Sequence, residues 1–146
     1  MKCPFCRQDT TEVFNSRSTR FGTQIWRRRR CQSCHESFTT YEAPDLGFLK
    51  VIKNGHKQRY SRAKLYSGIN GAFLSIPHQE TTVDAVTDTV EAKLLDIQKR
   101  ELSTKEIARI VLSTLKHFNT AAFVRYLADS TDLSSDAQLA RELKKY

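Results

Sequence analysis

All four cysteines of the chain lie in its first 34 residues, as two pairs of identical spacing, Cys3-x-x-Cys6 and Cys31-x-x-Cys34. A Cys-x-x-Cys turn presents two sulfurs from one tight knuckle, and two knuckles complete the tetrahedral shell that zinc prefers, at about 2.3 Å to each sulfur. Two disulfides or a pair of redox dithiols would use the same residues. The N-terminus, Met1-Lys2-Cys3-Pro4-Phe5-Cys6, has no apolar stretch of the secretory kind, so a reducing cytoplasm is the expected compartment. There the thiolates stay available to metal. With four thiolates bound, no position remains for a water nucleophile, and the site reads as a structural zinc centre. His35 adjoins Cys34 as an alternative ligand, but the second pair is complete without it.

The first 45 residues or so hold few large aliphatic side chains, and such a segment is not expected to fold without its metal. Composition changes near residues 43–47, Ala-Pro-Asp-Leu-Gly, which sets the expected boundary between a domain of residues 1–45 and one of residues 46–146. In the first, residues 12–16, 24–29 and 37–41 are rich in Val, Ile, Phe, Thr, Trp and Tyr and read as short strands. In the second, residues 48–53 and 56–60 flank Asn54-Gly55, the pair that best tolerates the positive φ angles of a two-residue hairpin turn.

Helices follow the hairpin. Leu65, Ile69, Ala72, Phe73 and Ile76 recur at helical spacing, as do Val83, Val86, Val90, Leu94 and Ile97. Ser103 with Glu106 forms a capping box ahead of Ile107, Ile110, Val111, Leu115 and Phe118, and Asn119 caps a further helix. A last polar segment, from Ser134 or Ser135 to Lys144, carries Leu139 and Leu143 four apart and is expected to dock on the body or on another subunit. The predicted class is α+β: a small β zinc module, then a mainly helical domain opened by a β-hairpin.

The formal net charge of +8 favours a polyanionic partner, and no run approaches the 18 apolar residues that span a bilayer. The charge is concentrated in Arg27-Arg28-Arg29-Arg30, directly before Cys31, with Arg17 and Arg20 between the knuckles. Charge runs are commonly solvated strands. Here arginines on a metal-fixed scaffold would lose little entropy on binding phosphates and can also read guanine edges, so nucleic acid is the expected partner. Strand alternation sends Arg27 and Arg29 to one face and Arg28 and Arg30 to the other. Trp26 either covers a small core or stacks on a base.

Taken together, Cys3-Pro4-Phe5-Cys6, Asn15-Ser16-Arg17, Arg27 to Arg30 with Cys31-x-x-Cys34, and Phe38-Thr39-Thr40-Tyr41-Glu42 closely resemble the NrdR repressors of bacterial ribonucleotide reductase genes. The resemblance continues through Val51-Ile52-Lys53-Asn54-Gly55 and Arg62-x-Lys64-Leu65 into an ATP-cone. It implies a zinc ribbon that binds double-stranded operator DNA, controlled by a cone that senses ATP and dATP through changes in homo-oligomeric state. By position, Lys53 and Lys64 resemble basic contacts to phosphate, Gln58 and Ser61 polar positions near the nucleoside, and Leu65 and Thr104 contacts to the base or its surroundings. Lys50, Lys53, Lys57, Arg59, Arg62 and Lys64 form a stretch without an acid, compatible with a triphosphate or more nucleic acid. The chain departs from the family pattern in the hairpin, which is one residue shorter at Lys53-Asn54, at Gln58 where an acid is common, and after Tyr126, where Leu127 to Asp132 replace aromatic and arginine residues.

An enzyme is the least supported class. There is no Walker A run, dinucleotide fingerprint or His-Glu-x-x-His motif, and His35, His56, His78 and His117 are scattered. The remaining alternative to a nucleotide-regulated repressor is a constitutive zinc-ribbon module with a helical protein-interaction domain.

Overall fold

Alternating β-branched, aromatic and long polar side chains from Thr11 onward favour extended backbone, and three antiparallel strands result: β1 (Thr11–Thr19), β2 (Gln24–Cys31) and β3 (Ser37–Glu42), in the order β1-β2-β3. This computed structural model describes residues 1–19, 22–77, 81–131 and 135–146. They fall into two compact units, Met1–Asp45 and Leu46–Tyr146. Arg20, His78, Asp132 and Ser134 lie outside the described residues.

The β1–β2 register carries a bulge between Val13 and Asn15. Val13 stands opposite Arg29, but Asn15 stands opposite Arg28, and Arg17 then opposite Trp26. A bulge inserts one residue and so reverses which side chains share a face beyond it. No apolar core supports this sheet: among the described residues of the first unit, Cys3 and Cys31 alone are buried.

The second unit begins with a 3-10 turn, Leu46–Phe48, that leads into the hairpin of β4 (Lys50–Lys53) and β5 (His56–Arg59). Asn54 and Gly55 take φ of 49° and 78°, the left-handed pair that matches a two-residue turn to strand twist. The remaining elements are α1 (Arg62–Phe73), α2 (Thr81–Asp96), β6 (Glu101–Ser103), α3 (Thr104–Phe118), α4 (Thr120–Ser130) and α5 (Asp136–Leu143). β6 runs parallel to β4, with Val51 opposite Leu102, in a sheet of order β5-β4-β6. At three residues, β6 is too short to show a period, and the sequence analysis missed it.

The capping box is present in full: the Ser103 hydroxyl accepts the Glu106 N–H, and the Glu106 carboxylate accepts the Ser103 N–H. Asn119 caps α4 through the Ala122 N–H, and Ser135 caps α5 through the Gln138 N–H. Phe73, Ile69, Val86, Val90, Leu102 and Leu115 are fully enclosed in one cluster fed by the turn, β6 and α1–α4. α5 docks on its own body, where Leu139 and Tyr146 pack against this cluster and the Tyr146 ring meets Phe123 edge-on at 5.6 Å.

Four apolar stripes run shorter than their spacing suggests. α1 stops at Phe73 and α2 at Asp96, so Ile76 and Ile97 follow the helices, and Ile97 is 37% exposed. Phe118, the last residue of α3, and Leu143, the last of α5, are 46% and 42% exposed. A helix end has no following turn to carry its stripe into the core. Phe48 likewise lies in the 3-10 turn rather than in the first hairpin strand.

Candidate functional site

In the first unit each cysteine pair sits in the same backbone knuckle. The Arg7 N–H donates to the Cys3 carbonyl and the His35 N–H to the Cys31 carbonyl, both at 3.0 Å, while Cys3 N–H reaches Gln8 and Cys31 N–H reaches Glu36, both at 2.9 Å. Closing the knuckle puts the residue after the second cysteine in the left-handed region: Arg7 at φ 66° and His35 at φ 61°. Each costs about 1 kcal/mol in a residue with a Cβ.

The knuckles bring the four sulfurs within 4.8 Å of one another, with Cys3 to Cys34 and Cys6 to Cys31 both at 3.6 Å. Four ligands at 2.3 Å and tetrahedral angles require sulfurs about 3.8 Å apart, so Cys3, Cys6, Cys31 and Cys34 fit a zinc ion. As free thiols they titrate unequally. The Cys34 and Ser33 N–H groups and the Thr10 hydroxyl pull Cys31 down to about 6. The Glu36 N–H lowers Cys34, but burial and the other three sulfurs outweigh it and push that thiol up to about 12. A divalent cation favours the thiolate at every position. Thr10, which the sequence did not single out, bonds Ser33 at 2.7 Å and so ties the second knuckle to the start of β1. His35 does not belong to the sulfur cluster.

β2 sorts its arginines between two faces. Arg27 and Arg29 lie on the face of Ser16, Thr40, Val13 and Phe38, where Arg27 pairs with Glu42 at 2.8 Å and Arg29 bonds the Thr40 hydroxyl at 3.2 Å. Arg28 and Arg30 lie on the face of Asn15, Trp26, Thr39 and Tyr41. The bulge adds Arg17 to that second face, its guanidinium 4.5 Å from the centre of the Trp26 ring. The Arg30 guanidinium lies over Phe14, the bulge residue, at 5.5 Å. Arg28 bonds the Thr39 hydroxyl at 3.1 Å. Phe14 and Tyr41 are 54% and 62% exposed, so this face offers aromatic edges as well as three cations.

In the second unit, β4, β5, α1 and the start of α3 enclose a cleft of about 220 Å³. Lys53, Gln58, Ser61, Lys64, Leu65 and Thr104 all line it. Lys64 donates to the Gln58 side-chain oxygen at 2.7 Å. Ser61 is the N-cap of α1, yet its side chain makes no cap hydrogen bond. Arg59, named in the basic stretch, lines the same cleft, as do Val51, Tyr60, Gly68, Ile107 and Tyr126, which the sequence analysis missed. Gly68 lies three residues after Leu65 on α1, a usable signal; Tyr126 arrives from α4, which spacing does not link to the hairpin. Burial raises the Tyr126 phenol pKa, and burial with the Glu91 carboxylate raises that of Tyr60.

The acid-free basic stretch is answered from elsewhere in the chain. Arg62 meets Asp84 at 3.6 Å, Asp88 at 2.7 Å and Glu91, one face of α2, and Lys57 pairs with Glu101 at 2.6 Å. Arg59 donates to the Gly47 carbonyl at 3.1 Å. Lys53 and Lys64 remain as the lysines of the cleft.

Among the described residues, no helix is long and apolar enough to cross a membrane. A family model described as transcriptional repressor NrdR-like, N-terminal domain, matches residues 1–42, and one for the ATP cone domain matches residues 49–131. A protein of Paracidovorax citrulli named transcriptional repressor NrdR is 33% identical over 149 residues, covering 99% of this chain and 100% of the relative. Proteins of the same name from Albidiferax ferrireducens and Bordetella petrii are 39% and 40% identical over 127 residues, covering 86% of this chain and 85% and 80% of the relatives.

Proposed function

The chain belongs to the NrdR family of transcriptional repressors, with a zinc-ribbon domain and an ATP-cone domain, and from that premise we propose that it is a nucleotide-regulated repressor of ribonucleotide reductase genes. Residues 1–45 hold zinc through Cys3, Cys6, Cys31 and Cys34 and bind double-stranded operator DNA in the cytoplasm. Residues 46–146 bind ATP or dATP and set the size of a homo-oligomer.

The observation that carries the reading is the gathering of Arg17, Arg28 and Arg30 on one sheet face, two of them stacked on aromatic rings. A stacked guanidinium keeps its charge and most of its donors while losing side-chain freedom before binding, which lowers the entropic cost of a phosphate or base-edge contact. The zinc supplies no reaction; it fixes the knuckles at one end of β2, and with them the orientation of the strand. In the cone, the Lys53 and Lys64 ammonium groups and the unused Ser61 hydroxyl at the head of α1 suit a phosphate chain, and Leu65, Ile107 and Tyr126 suit a base. Regulation requires that the nucleotide bind one assembly more tightly than another.

The test is light scattering and operator binding on the same purified protein with no nucleotide, with ATP and with dATP. We expect the mass and the operator affinity to change together. DNA binding indifferent to both nucleotides, at unchanged mass, would instead fit a constitutive zinc-ribbon module.

A further inference from the structure

α1 carries two glycines, Gly68 and Gly71, inside a twelve-residue helix. Neither has positive φ, so neither is required by the backbone. Each costs the helix about 0.5–1 kcal/mol relative to alanine. Their surroundings differ. Gly68 lines the cleft, and a Cβ built there would meet one atom group only, the edge of the Tyr126 ring at 3.8 Å. Gly71 is not among the cleft residues, and a Cβ there would meet nothing within 4 Å. The protein thus has room for alanine at both positions.

The cleft residues of α1 are Ser61, Lys64, Leu65 and Gly68, which form one helical stripe. It begins with the Ser61 hydroxyl at the helix head, continues with the Lys64 ammonium, and ends about two turns on with Gly68 beside Tyr126. Ile107 adds further apolar surface, so the cleft has a cationic end and an apolar, aromatic end.

We infer that Gly68 sets the size of the ligand that fits the apolar end: its missing Cβ leaves the space in which a nucleobase lies against Tyr126 and the backbone of α1. The inference rests on the nucleotide reading of the cleft and adds the position that selects the nucleoside. Close approach of a flat ring to a helix backbone is possible only where no side chain intervenes. A methyl group there overpacks the ligand and leaves the protein unstrained, so the loss appears in binding alone.

The experiment is calorimetric titration of the full-length zinc-loaded protein with ATP, dATP and inorganic tripolyphosphate, together with thermal melts, for wild type, Gly68→Ala and Gly71→Ala. Both variants are expected to melt no lower than wild type. Gly68→Ala should weaken ATP and dATP about ten-fold or more while leaving tripolyphosphate within about two-fold, and Gly71→Ala should leave all three unchanged. Wild-type protein that binds neither ATP nor dATP overturns the nucleotide reading itself. Wild-type binding with unaltered affinity in Gly68→Ala overturns the assignment of Gly68. An equal loss of tripolyphosphate also overturns it, because the cleft as a whole would then have been disturbed. If Gly68→Ala fails to fold, the claim that the position has room is wrong, and the inference falls with it.

Discussion

Arg17 lies over Trp26, 4.5 Å from the ring centre, because the bulge at Phe14 advances β1 by one residue against β2. Were Phe14 itself paired opposite Arg28, Ser16 would stand opposite Trp26, and Arg17 would project with Arg27 and Arg29 on the other face. Whether Phe14 bulges or pairs decides which arginines share a face with Arg17.

On the DNA-binding reading, Arg17→Ala, Arg28→Ala and Arg30→Ala each weaken operator binding by about 1–3 kcal/mol if the residue reads a base, and reduce the salt slope by about 1 if it neutralises a phosphate. Arg27→Ala has the smallest effect, since Arg27 is already held by Glu42 at 2.8 Å. Fluorescence anisotropy across a salt series separates the cases. Equal losses from all four β2 arginines would contradict the two-faced arrangement.

Deleting Phe14 tests the bulge directly. The deletion closes the bulge but leaves Asn15, Ser16 and Arg17 opposite Arg28, Arg27 and Trp26, so operator affinity is expected to fall about as far as in Phe14→Ala, which likewise removes the ring beneath Arg30. Anisotropy on both variants, with zinc content measured to show that the knuckles persist, reads the difference. A loss much larger than that of Phe14→Ala would mean that the bulge itself, and not only the ring, shapes the binding face.

Zinc removal should unfold Met1–Asp45 and spare Leu46–Tyr146. The first unit buries only Cys3 and Cys31 among its described residues, so metal binding supplies nearly all its folding free energy, whereas the second has its own apolar cluster. With a strong chelator, amide exchange should become fast in β1–β3 and stay slow in α1–α4. Protection that survives in β2 would refute a metal-dependent fold.

Glu106 contributes a pH-dependent stabilisation through its capping box. The Ser103 N–H and hydroxyl, then Lys99, hold its carboxyl down at about 2, below the ordinary carboxylate range. A depressed carboxyl stabilises fully above its unfolded value and loses that contribution as pH falls through its folded value. Ser103→Ala should therefore cost about 1 kcal/mol near neutrality, and the gap to wild type should narrow between pH 5 and pH 2, leaving the share of the Glu106 N–H bond to the Ser103 hydroxyl, which does not titrate. Denaturant melts at several pH values measure it, and a gap that widens on acidification would contradict the sign.

What the sequence disclosed follows the range of the interactions involved. The knuckles, the Asn54-Gly55 turn and the caps at Ser103 and Asn119 are local, each set by residues within about four positions. The three short strands, the hairpin and the succession of helices were legible for the same reason. The Phe14 bulge was not, because Val13, Phe14 and Asn15 fit either register, and pairing with β2 decides between them. β6 was hidden because its three residues form a strand only beside β4. In the cleft, Tyr126 comes from α4 and was invisible to spacing. The basic stretch misled in the opposite direction: Asp84, Asp88 and Glu91 stand at i, i+4 and i+7 on α2, a readable acidic face, but its target Arg62 is fixed only by packing α1 on α2.

That acidic face gives the last prediction. Asp88 and Glu91 side chains are only 11% and 16% exposed, and Glu91 also accepts the Tyr60 hydroxyl at 2.8 Å. Arg62→Ala leaves two poorly solvated carboxylates without their shared cation. Arg62 itself is 42% exposed, so screening limits the cost to about 1–2 kcal/mol. Glu91→Gln removes one of the charges that Arg62 balances. The double variant Arg62→Ala, Glu91→Gln should therefore be destabilised by less than the sum of the two single changes, a coupling of at least about 0.5 kcal/mol. Urea melts of the four proteins complete the cycle. Strict additivity would mean that the ion pairs are ornamental and that Tyr60 is positioned beside the cleft by packing alone.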